Sequence, residues 1–370
     1  MNKKILILYT NYGTGHYQAA KAINEYIKNN YPKYEILFLD PLSYSRPLLN
    51  KIFAKTGKIV ATKFRNFRKK LYQRKMYKNY LKNSPFFTFC TKIFWTKKLE
   101  KKLIEFNPNI IISTQVGPTG LIAAHKNMFK TKLVSVFTDY GLHRMYTVAH
   151  EHIDLFCVPD NKIKEEIKEL KIDSKKIIVT GIPVHKDFLK SANKKEKTEI
   201  LSKYNLKQTQ PTYLFVCGGG LGYDNAFKYF KLLLQSNHKF NYIFVAGKNK
   251  KLLKKAKEIT KEYNKEGIVL GYVNNMAQLI KGSDLVFGKP GGIITSETLN
   301  LEKTICAIEP IPGQETNNAL FIKNNNFGFY IDNIEEFKAF LNDLENKKIN
   351  LEQYEKNIKN KFIKFNFIKL

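Results

Sequence analysis

The chain has 370 residues, of which 43% are hydrophobic and 26% are charged, and it carries a formal net charge of +31. This length exceeds what one compact core usually holds and predicts two domains of about 100–200 residues each. The composition is that of a globular protein, which excludes a chain that is disordered throughout, and no apolar run reaches about 18 residues, so we expect no membrane-spanning helix.

The N-terminal stretch and the spacing of the cysteines indicate the cellular compartment in which we expect the protein. The apolar run at residues 5–9 is shorter than the ~7–15 residues of a signal-peptide core, so we expect a cytoplasmic protein. The cysteines are scattered along the chain without a CxxC pair. That spacing disfavours both a disulfide framework and a structural zinc site.

The first half of the chain alternates between short apolar strands and helices. Residues 4–9 predict a buried strand, and residues 16–29 predict a helix because their apolar side chains recur at helical spacing. Further strands are predicted at 35–39, 109–113, 132–137 and 153–158. Continuous apolar strands separated by helices indicate a parallel sheet covered by helices on both faces.

The second half repeats this alternation after a polar, lysine-rich segment. Strands are predicted at 212–217, 241–246, 267–270 and 284–287, with helices at 224–235 and 250–263. The predicted fold is α/β, with two Rossmann-like, doubly wound domains that face each other across a cleft and bind ligands outside the carboxyl ends of their strands. The predicted boundaries are residues 1–190 for the first domain, 191–210 for the linker, 211–345 for the second domain and 346–370 for a basic amphipathic tail.

The first candidate site is the glycine-containing turn at residues 11–16, between the first strand and the first helix. Glycines let the backbone turn tightly and approach a ligand, and the helix that follows supplies unpaired N–H groups. His16 falls in the first helical turn, where the positive end of the helix dipole disfavours a protonated imidazole. We hypothesise that His16 stays neutral and accepts a proton from a substrate hydroxyl. The alternative is a capping turn with a structural histidine.

Two turns in the second half are candidates for binding phosphate. The turn CGGGLG at 217–222 lacks the ending of a Walker A loop, and it is either a phosphate-facing turn or a flexible one. In GKPGGIITSE at 288–297, Gly291 and Gly292 precede a helix start, which predicts a diphosphate site made of backbone amides and the helix dipole. Glu297 lies about one turn into that helix, where it can accept hydrogen bonds from a ribose diol.

A polar loop, PIPGQETNN at 310–318, follows a further predicted strand at 304–308. Its Gln314 and Glu315 offer several groups that can bind the hydroxyls of a sugar. The alternative for this loop and for the preceding turn is that both are ordinary connections.

The segment TDYGLHR at 138–144 follows another strand in the first half. Asp139 is a candidate for orienting a base or an acceptor hydroxyl, and the alternative is that it caps the turn. The chain contains no Asp-x-Asp pair, which argues against a carboxylate-bound Mg²⁺ that bridges phosphates.

Several segments together resemble one known family. They are NYGTGHYQAAKA at 11–22, TDYGLH at 138–143, HEHID at 150–154, TGIPV at 180–184, AGKN at 246–249, GYVNNM at 271–276, KPGGIITSE at 289–297 and PIPGQETNN at 310–318. In these segments the chain is similar to the processive diacylglycerol β-glucosyltransferases of bacteria and the plant monogalactosyldiacylglycerol synthases, which are glycolipid glycosyltransferases of the GT-B fold. The last two segments are the most specific.

The resemblance implies an inverting transfer from a UDP-sugar, without a metal ion or another cofactor. It gives His16 the role of general base. Asp139 stays the second catalytic candidate from the residues themselves, and Tyr140 and His143 are the expected acceptor contacts. The donor contacts that it implies are Gly15, Gly219, Gly220, Lys248, Asn249, Val273, Lys289, Gly291, Gly292, Ile293, Thr295, Glu297, Gly313, Gln314, Glu315 and Asn318.

Positive charge is concentrated between residues 46 and 102, where 18 basic residues accompany a single acid, Glu100. Aromatic residues interleave with these cations, which suits an anionic bilayer surface. The predicted membrane-docking residues are Lys69, Lys70, Arg74, Lys75, Phe86, Phe87 and Trp95. The phenylalanines of the tail from 356 to 370 repeat the pattern. The alternatives are a solvated basic face and a nucleic-acid surface.

These observations predict a peripheral enzyme on the cytoplasmic face of the membrane. We expect it to transfer glucose from UDP-glucose to the hydroxyl of diacylglycerol, with processive addition of a second sugar as an option. The alternatives are a UDP-galactose-dependent synthase of the same chemistry and a non-catalytic protein that binds membranes or nucleic acid. The expected partners are the UDP-sugar, diacylglycerol and an anionic membrane surface, and not nucleic acid.

Overall fold

The computed structural model describes residues 3–11, 14–45, 91–147, 149–191, 193–217 and 225–367. The chain divides into two compact units. The first contains Met1–His185, Ile311–Gln314 and Ile363–Leu370, and the second contains Lys186–Pro310 and Glu315–Phe362. Among the residues described, no helix combines the length and the apolar character needed to cross a bilayer.

The first unit is built on a six-stranded parallel sheet. Its strands are β1 (Lys4–Leu8), β2 (Glu35–Leu39), β3 (Ile110–Ser113), β4 (Lys132–Val136), β5 (Leu155–Val158) and β6 (Ile177–Val179), in the order β2-β1-β3-β4-β5-β6. Its α-helices include Thr14–Asn30, Lys97–Phe106, Val116–Ala123 and Asn161–Lys168. In register, Leu8 of β1 lies opposite Ser113 of β3, so these two strands end side by side.

Helices cover both faces of this sheet because the strands are apolar on both sides. In β1, Ile5 and Ile7 pack against Ile23 of helix Thr14–Asn30. The alternate residues Leu6 and Leu8 belong to the core cluster on the other face. Successive side chains of a strand point to opposite faces, so the run of apolar residues in β1 serves two cores at once.

The second unit contains a second six-stranded parallel sheet. Its strands are β7 (Thr212–Val216), β8 (Asn241–Val245), β9 (Glu266–Leu270), β10 (Leu285–Gly288), β11 (Thr304–Ile308) and β12 (Gly328–Ile331), in the order β12-β11-β10-β7-β8-β9. Its α-helices include Lys194–Lys203, Asn225–Gln235, Lys250–Ile259, Met276–Gly282, Gly292–Asn300, Gln314–Asn324, Ile334–Glu345 and Leu351–Lys361. This order reads 3-2-1-4-5-6 when the strands are counted from β7, which is the order typical of Rossmann sheets. The predicted α/β fold class, with two Rossmann-like sheets, is confirmed.

The segment predicted as a linker is largely helical in the structure. Helix Lys194–Lys203 begins with a capping box in which Asn193 and Glu196 bond each other's backbone N–H. Lys197 of this helix pairs with Asp284 just before β10. These residues are therefore part of the second unit.

The predicted tail also differs from its structure. Residues 351–361 form a helix, and the residues after it return to the first unit. The N–H of Asn366 donates to the carbonyl of Thr180, and Gly181, which has a φ of +74°, leaves room for the Phe365 backbone: a Cβ there would stand 2.9 Å from Phe365 Cα. Phe362 and Phe365 are buried, so these tail phenylalanines pack within the protein.

Candidate functional site

The candidate catalytic residue stands where the strand order of the first sheet reverses. The strands β1 and β3 are neighbours, and their connections leave the sheet in opposite directions. Ligands of open α/β sheets bind outside the carboxyl ends of the strands at such a point. His16 follows β1 and Thr114 follows β3, so both lie at the switch point. Near the end of β1, the backbone N–H and the side-chain amide of Asn11 both donate to Asp40.

Two oxygen atoms contact the same nitrogen of the His16 ring. Nδ1 lies 2.9 Å from the carbonyl oxygen of Thr114 and 2.9 Å from Oγ1 of Thr138. A carbonyl oxygen can only accept a hydrogen bond, so Nδ1 carries the proton. In a neutral imidazole the lone pair is then on Nε2, and this is the atom that can take a proton from a substrate.

The ionisation of His16 favours the same role. The side chain is half-buried, and burial lowers the pKa of His16 below its usual 6.5, against the opposing effect of the hydrogen bond to Thr114. A pKa below 6.5 makes the neutral ring the main form at pH 7. A neutral imidazole is the form that a general base requires.

Sequence reasoning missed Thr114 and Thr138, and it proposed Asp139 as a residue that orients either the base or an acceptor hydroxyl. Among the residues described, the contacts of Nδ1 are made by Thr114 and by Thr138, the residue that precedes Asp139. The Asp139 side chain is half-buried, Tyr140 is buried and His143 is half-buried. Contacts of these three residues with an acceptor remain a prediction.

In the second unit, β10 ends in the turn predicted to bind a diphosphate. Gly291 is the N-cap of helix Gly292–Asn300 and has no side chain to bond the first N–H groups of that helix. The N–H of Gly291 donates to the carbonyl of Lys289. The helix start therefore presents backbone N–H groups and the positive end of its dipole, which together suit an anion.

A buried side-chain amide bonds to the backbone of the turn after β10. The side-chain N–H₂ of Asn318 donates to the carbonyl of Pro290 at 2.9 Å, and Asn318 is fully buried. Thr295, in the second turn of the helix, is also fully buried, and Ile293 is buried. Asn318 thus fixes the shape of the turn.

Glu297 lies in the same helix and is half-buried. Burial raises its pKa to about 8, so in the absence of a ligand the carboxyl group is largely protonated at pH 7. A ligand that donates hydrogen bonds favours the carboxylate form and draws this pKa down.

An ion pair joins the two candidate donor loops. The ammonium group of Lys289 lies 2.9 Å from the carboxylate of Glu315, and both side chains are mostly shielded from solvent. Glu315 is in the first turn of helix Gln314–Asn324, and Gln314 is half-buried. Gly313 has a φ of +117°, a conformation that favours glycine, at the end of the loop that leads into this helix.

The remaining predicted donor residues have the following places. The Lys248 ammonium lies 5.2 Å from the centre of the Tyr272 ring, and Val273 is half-buried. Asn249 is the N-cap of helix Lys250–Ile259, where its side chain accepts from the N–H of Leu252. Gly15 is half-buried, and Gly219 and Gly220 lie outside the described residues.

One predicted membrane-docking residue, Trp95, lies in the described part. Its ring stacks on His125 with 3.8 Å between centroids, and its indole N–H donates to Glu100 at 2.8 Å. The others, Lys69, Lys70, Arg74, Lys75, Phe86 and Phe87, lie outside the described residues. Within the described ranges, no three His, Cys, Asp or Glu side chains are grouped so that they could share a metal ion.

The amino-acid sequence is similar to glycolipid glycosyltransferases. Residues 16–184 match the family model described as monogalactosyldiacylglycerol (MGDG) synthase. The chain is 28% identical over 349 residues to the processive diacylglycerol beta-glucosyltransferase of Staphylococcus epidermidis, which covers 94% of this chain and 86% of that protein. It is 26% identical over 368 residues to the protein of the same name from Bacillus subtilis, with 97% and 91% covered.

Solved structures are similar over the whole chain at low identity. Acinetobacter baumannii MurG has a TM-score of 0.63 at 11% identity, and the likeness covers 97% of this chain and 95% of that one. A UDP co-structure of Staphylococcus aureus MnaA has a TM-score of 0.58 at 12% identity, with 98% and 93% covered. Together with the two Rossmann-like sheets, these likenesses establish the GT-B fold.

Proposed function

We infer that the chain is a glycolipid glycosyltransferase of the GT-B fold, related to the MGDG synthases and the processive diacylglycerol β-glucosyltransferases, and we propose that it transfers glucose from UDP-glucose to the free hydroxyl of 1,2-diacylglycerol. Similarity along nearly the whole chain supports the reaction class. The observation that carries the mechanism is His16, a neutral imidazole whose Nδ1 is occupied and whose Nε2 bears the lone pair.

His16 acts as the general base. Its Nε2 takes the proton from the acceptor hydroxyl while the acceptor oxygen attacks the anomeric carbon. The bond between that carbon and the phosphate oxygen breaks, and UDP leaves with the electron pair. A single displacement of this kind inverts the anomeric configuration. Proton transfer to a positioned base contributes roughly 10²–10⁴-fold to such a step.

The second unit binds the donor and stabilises the departing diphosphate. The N–H groups at the start of helix Gly292–Asn300 and the ammonium of Lys289 face the charge that develops on the leaving group. Glu297 accepts hydrogen bonds from the ribose, and Gln314 and Glu315 bind the hexose. Thr295 and Asn318 are fully buried, so we propose that they act through the shape of the turn.

The acceptor requires the enzyme to work at a membrane surface, because diacylglycerol stays in the bilayer. We propose that the protein is peripheral and docks on the cytoplasmic face through the basic, aromatic segment between residues 46 and 102. Each basic residue near an anionic surface contributes about 1 kcal/mol to such docking. Tyr140 and His143 are the proposed acceptor contacts.

A lipid product assay tests the proposal. The purified protein is incubated with vesicles that contain diacylglycerol and with radiolabelled UDP-glucose or UDP-galactose, and the lipids are separated by thin-layer chromatography. We expect a labelled glucosyl lipid that His16→Ala abolishes. A product with UDP-galactose alone would replace the proposed donor, and no labelled lipid with either donor would reject the proposal. A second, slower-migrating glucolipid would indicate processive addition.

A further inference from the structure

We propose that Thr138 is a positioning residue for the base: its hydroxyl oxygen, together with the carbonyl of Thr114, holds the His16 ring in the tautomer that keeps the lone pair on Nε2. The inference rests on the proposed function, because this tautomer matters for turnover only if His16 accepts the acceptor's proton.

A hydroxyl beside an imidazole nitrogen can act in two ways. It can donate to a bare Nδ1, which would place the ring proton on Nε2 and block the base, or it can accept from Nδ1–H. The Thr114 carbonyl requires a proton on Nδ1, so the Thr138 oxygen can only accept from that nitrogen, and Oγ1 also lies 3.4 Å from the Tyr146 hydroxyl oxygen, where either hydroxyl can donate. The Thr138 oxygen therefore accepts from Nδ1–H, as the Thr114 carbonyl does.

These groups are held firmly. Thr138 is 3% exposed and Tyr146 is 1% exposed, and the Tyr146 ring stacks on Phe137 with 4.2 Å between centroids. Thr114 contacts His16 twice, because its hydroxyl donates to the His16 carbonyl at 2.9 Å while its own carbonyl accepts from the ring. The ring and the backbone of His16 are therefore fixed together, as a preorganised base requires.

The same contacts serve the product of proton transfer. When the acceptor proton moves to Nε2, the acceptor oxygen bonds to the anomeric carbon and the diphosphate leaves with the electron pair of the broken bond. His16 is then an imidazolium with a proton on each nitrogen. Its Nδ1–H bonds to Thr114 and Thr138 become charge-assisted and stronger. The same two oxygen atoms therefore stabilise both the neutral Nδ1–H tautomer and the imidazolium. Release of the Nε2 proton to water restores the base.

Two substitutions separate the hydroxyl from the volume of the side chain. Thr138→Val keeps the shape and removes the hydroxyl, and Thr138→Ser keeps the hydroxyl. We expect kcat to fall about tenfold in Thr138→Val, the equivalent of about 1.4 kcal/mol, with the KM values for both substrates unchanged and with near-normal kcat in Thr138→Ser. Ser135→Ala is the matched control, because Ser135 is fully buried and its hydroxyl has no hydrogen-bond partner among the residues described.

Nitrogen NMR of protein labelled at its histidines measures the tautomer directly. The His16 signals are identified by their loss in His16→Gln. We expect wild-type His16 to carry its proton on Nδ1 at pH 7 and Thr138→Val to show a mixture of tautomers. A wild-type ring protonated on Nε2, or unchanged tautomer and kcat in Thr138→Val, overturns the inference. If Thr138→Val does not fold, Thr138→Ala provides the same comparison.

The spectrum does not depend on turnover, which separates the two proposals. A wild-type protein that transfers no sugar but has the Nδ1 tautomer, shifted by Thr138→Val, would reject the proposed function and support the role of Thr138 in fixing the ring. Normal sugar transfer, with neither kcat nor the tautomer changed in Thr138→Val, would support the proposed function and reject the role of Thr138.

Discussion

The ammonium group of Lys289 lies 2.9 Å from the carboxylate of Glu315 and joins the turn after β10 to the helix after β11. Each residue was predicted to bind a different part of one donor, the diphosphate for Lys289 and the hexose for Glu315. Without a donor they satisfy each other's charge. If the proposed contacts form, donor binding redistributes this ion pair, with a phosphate as the new partner of Lys289 and sugar hydroxyls as the new partners of Glu315.

This exchange predicts opposite effects for two substitutions on the binding of UDP, which lacks the sugar. Lys289→Met removes a cation from the diphosphate and is expected to weaken UDP binding about tenfold. Glu315→Gln frees Lys289 from its competitor, so UDP binding is expected to stay the same or tighten, while UDP-glucose binding weakens. Titration calorimetry with both ligands measures these differences.

A control for the loss of a lysine is available in the same unit. Lys303 pairs with Glu355 at 3.0 Å, and neither residue was predicted to bind the donor. Lys303→Met should leave UDP binding unchanged. Weaker UDP binding in Glu315→Gln than in Lys289→Met would contradict the assigned roles.

His16→Ala is predicted to lower kcat by about 10²–10⁴-fold while UDP binding is retained, because the base takes part in proton transfer and not in nucleotide binding. The ionisation of His16 also predicts how the rate changes with pH. The active form is the neutral imidazole, and burial lowers the pKa of His16 below 6.5. With UDP-glucose at a saturating concentration, the acid limb of kcat/KM for the acceptor should therefore lie below pH 6.5, with the rate falling only as the pH drops through that lowered pKa. An acid limb above pH 6.5 would argue against His16 as the base.

The raised pKa of Glu297 predicts that a proton is released when the nucleotide binds. Its pKa of about 8 in the unliganded protein means that the group is mostly neutral at pH 7, and ribose hydroxyls that donate to it favour the ionised form. Binding should therefore strengthen as the pH rises from 7 towards 8, because less work is then needed to remove the proton. Calorimetry of UDP binding at pH 7 in buffers of different ionisation enthalpy measures the released proton.

Glu297→Gln is the matched variant for this measurement, since it keeps the size of the side chain and cannot ionise. Protons taken up or released by the UDP phosphates contribute equally to the measurements on both proteins. The difference between the two belongs to Glu297. Equal proton release by both would show that ribose does not contact an ionising Glu297.

The strands were predictable because their residues are apolar on both faces, as β1 shows with Ile5 and Leu6 in two different cores. The turn after β10 was predictable for a related reason, since Gly291 and Gly292 precede a helix that follows the carboxyl end of a strand. The short strands β6 and β12 were missed. Ile177–Val179 has three residues, which is too few for a recognisable period.

The contacts that set the chemistry could not be read from the sequence. Thr114 acts on His16 through its backbone carbonyl, which every residue possesses, across 98 positions of the chain. The tail gives a second example. Lysines mixed with phenylalanines suit a membrane surface and also a segment that packs on its own protein. The burial of Phe365 and its close approach to Gly181 distinguish the two.

The basic segment between residues 46 and 102 predicts binding to anionic vesicles that salt weakens. Replacing Lys69, Lys70, Arg74 and Lys75 together by Gln removes four positive charges, each worth about 1 kcal/mol near such a surface. We expect the variant to lose most of its sedimentation with vesicles rich in phosphatidylglycerol, while its binding of UDP stays normal. A variant with Lys250, Lys251, Lys254 and Lys255 replaced by Gln loses the same charge from an exposed helix of the second unit. If both variants lose vesicle binding equally, the net charge of the protein drives docking and the segment has no special role. If the wild-type protein binds neutral vesicles equally well, or if salt does not weaken its binding, the electrostatic explanation is wrong.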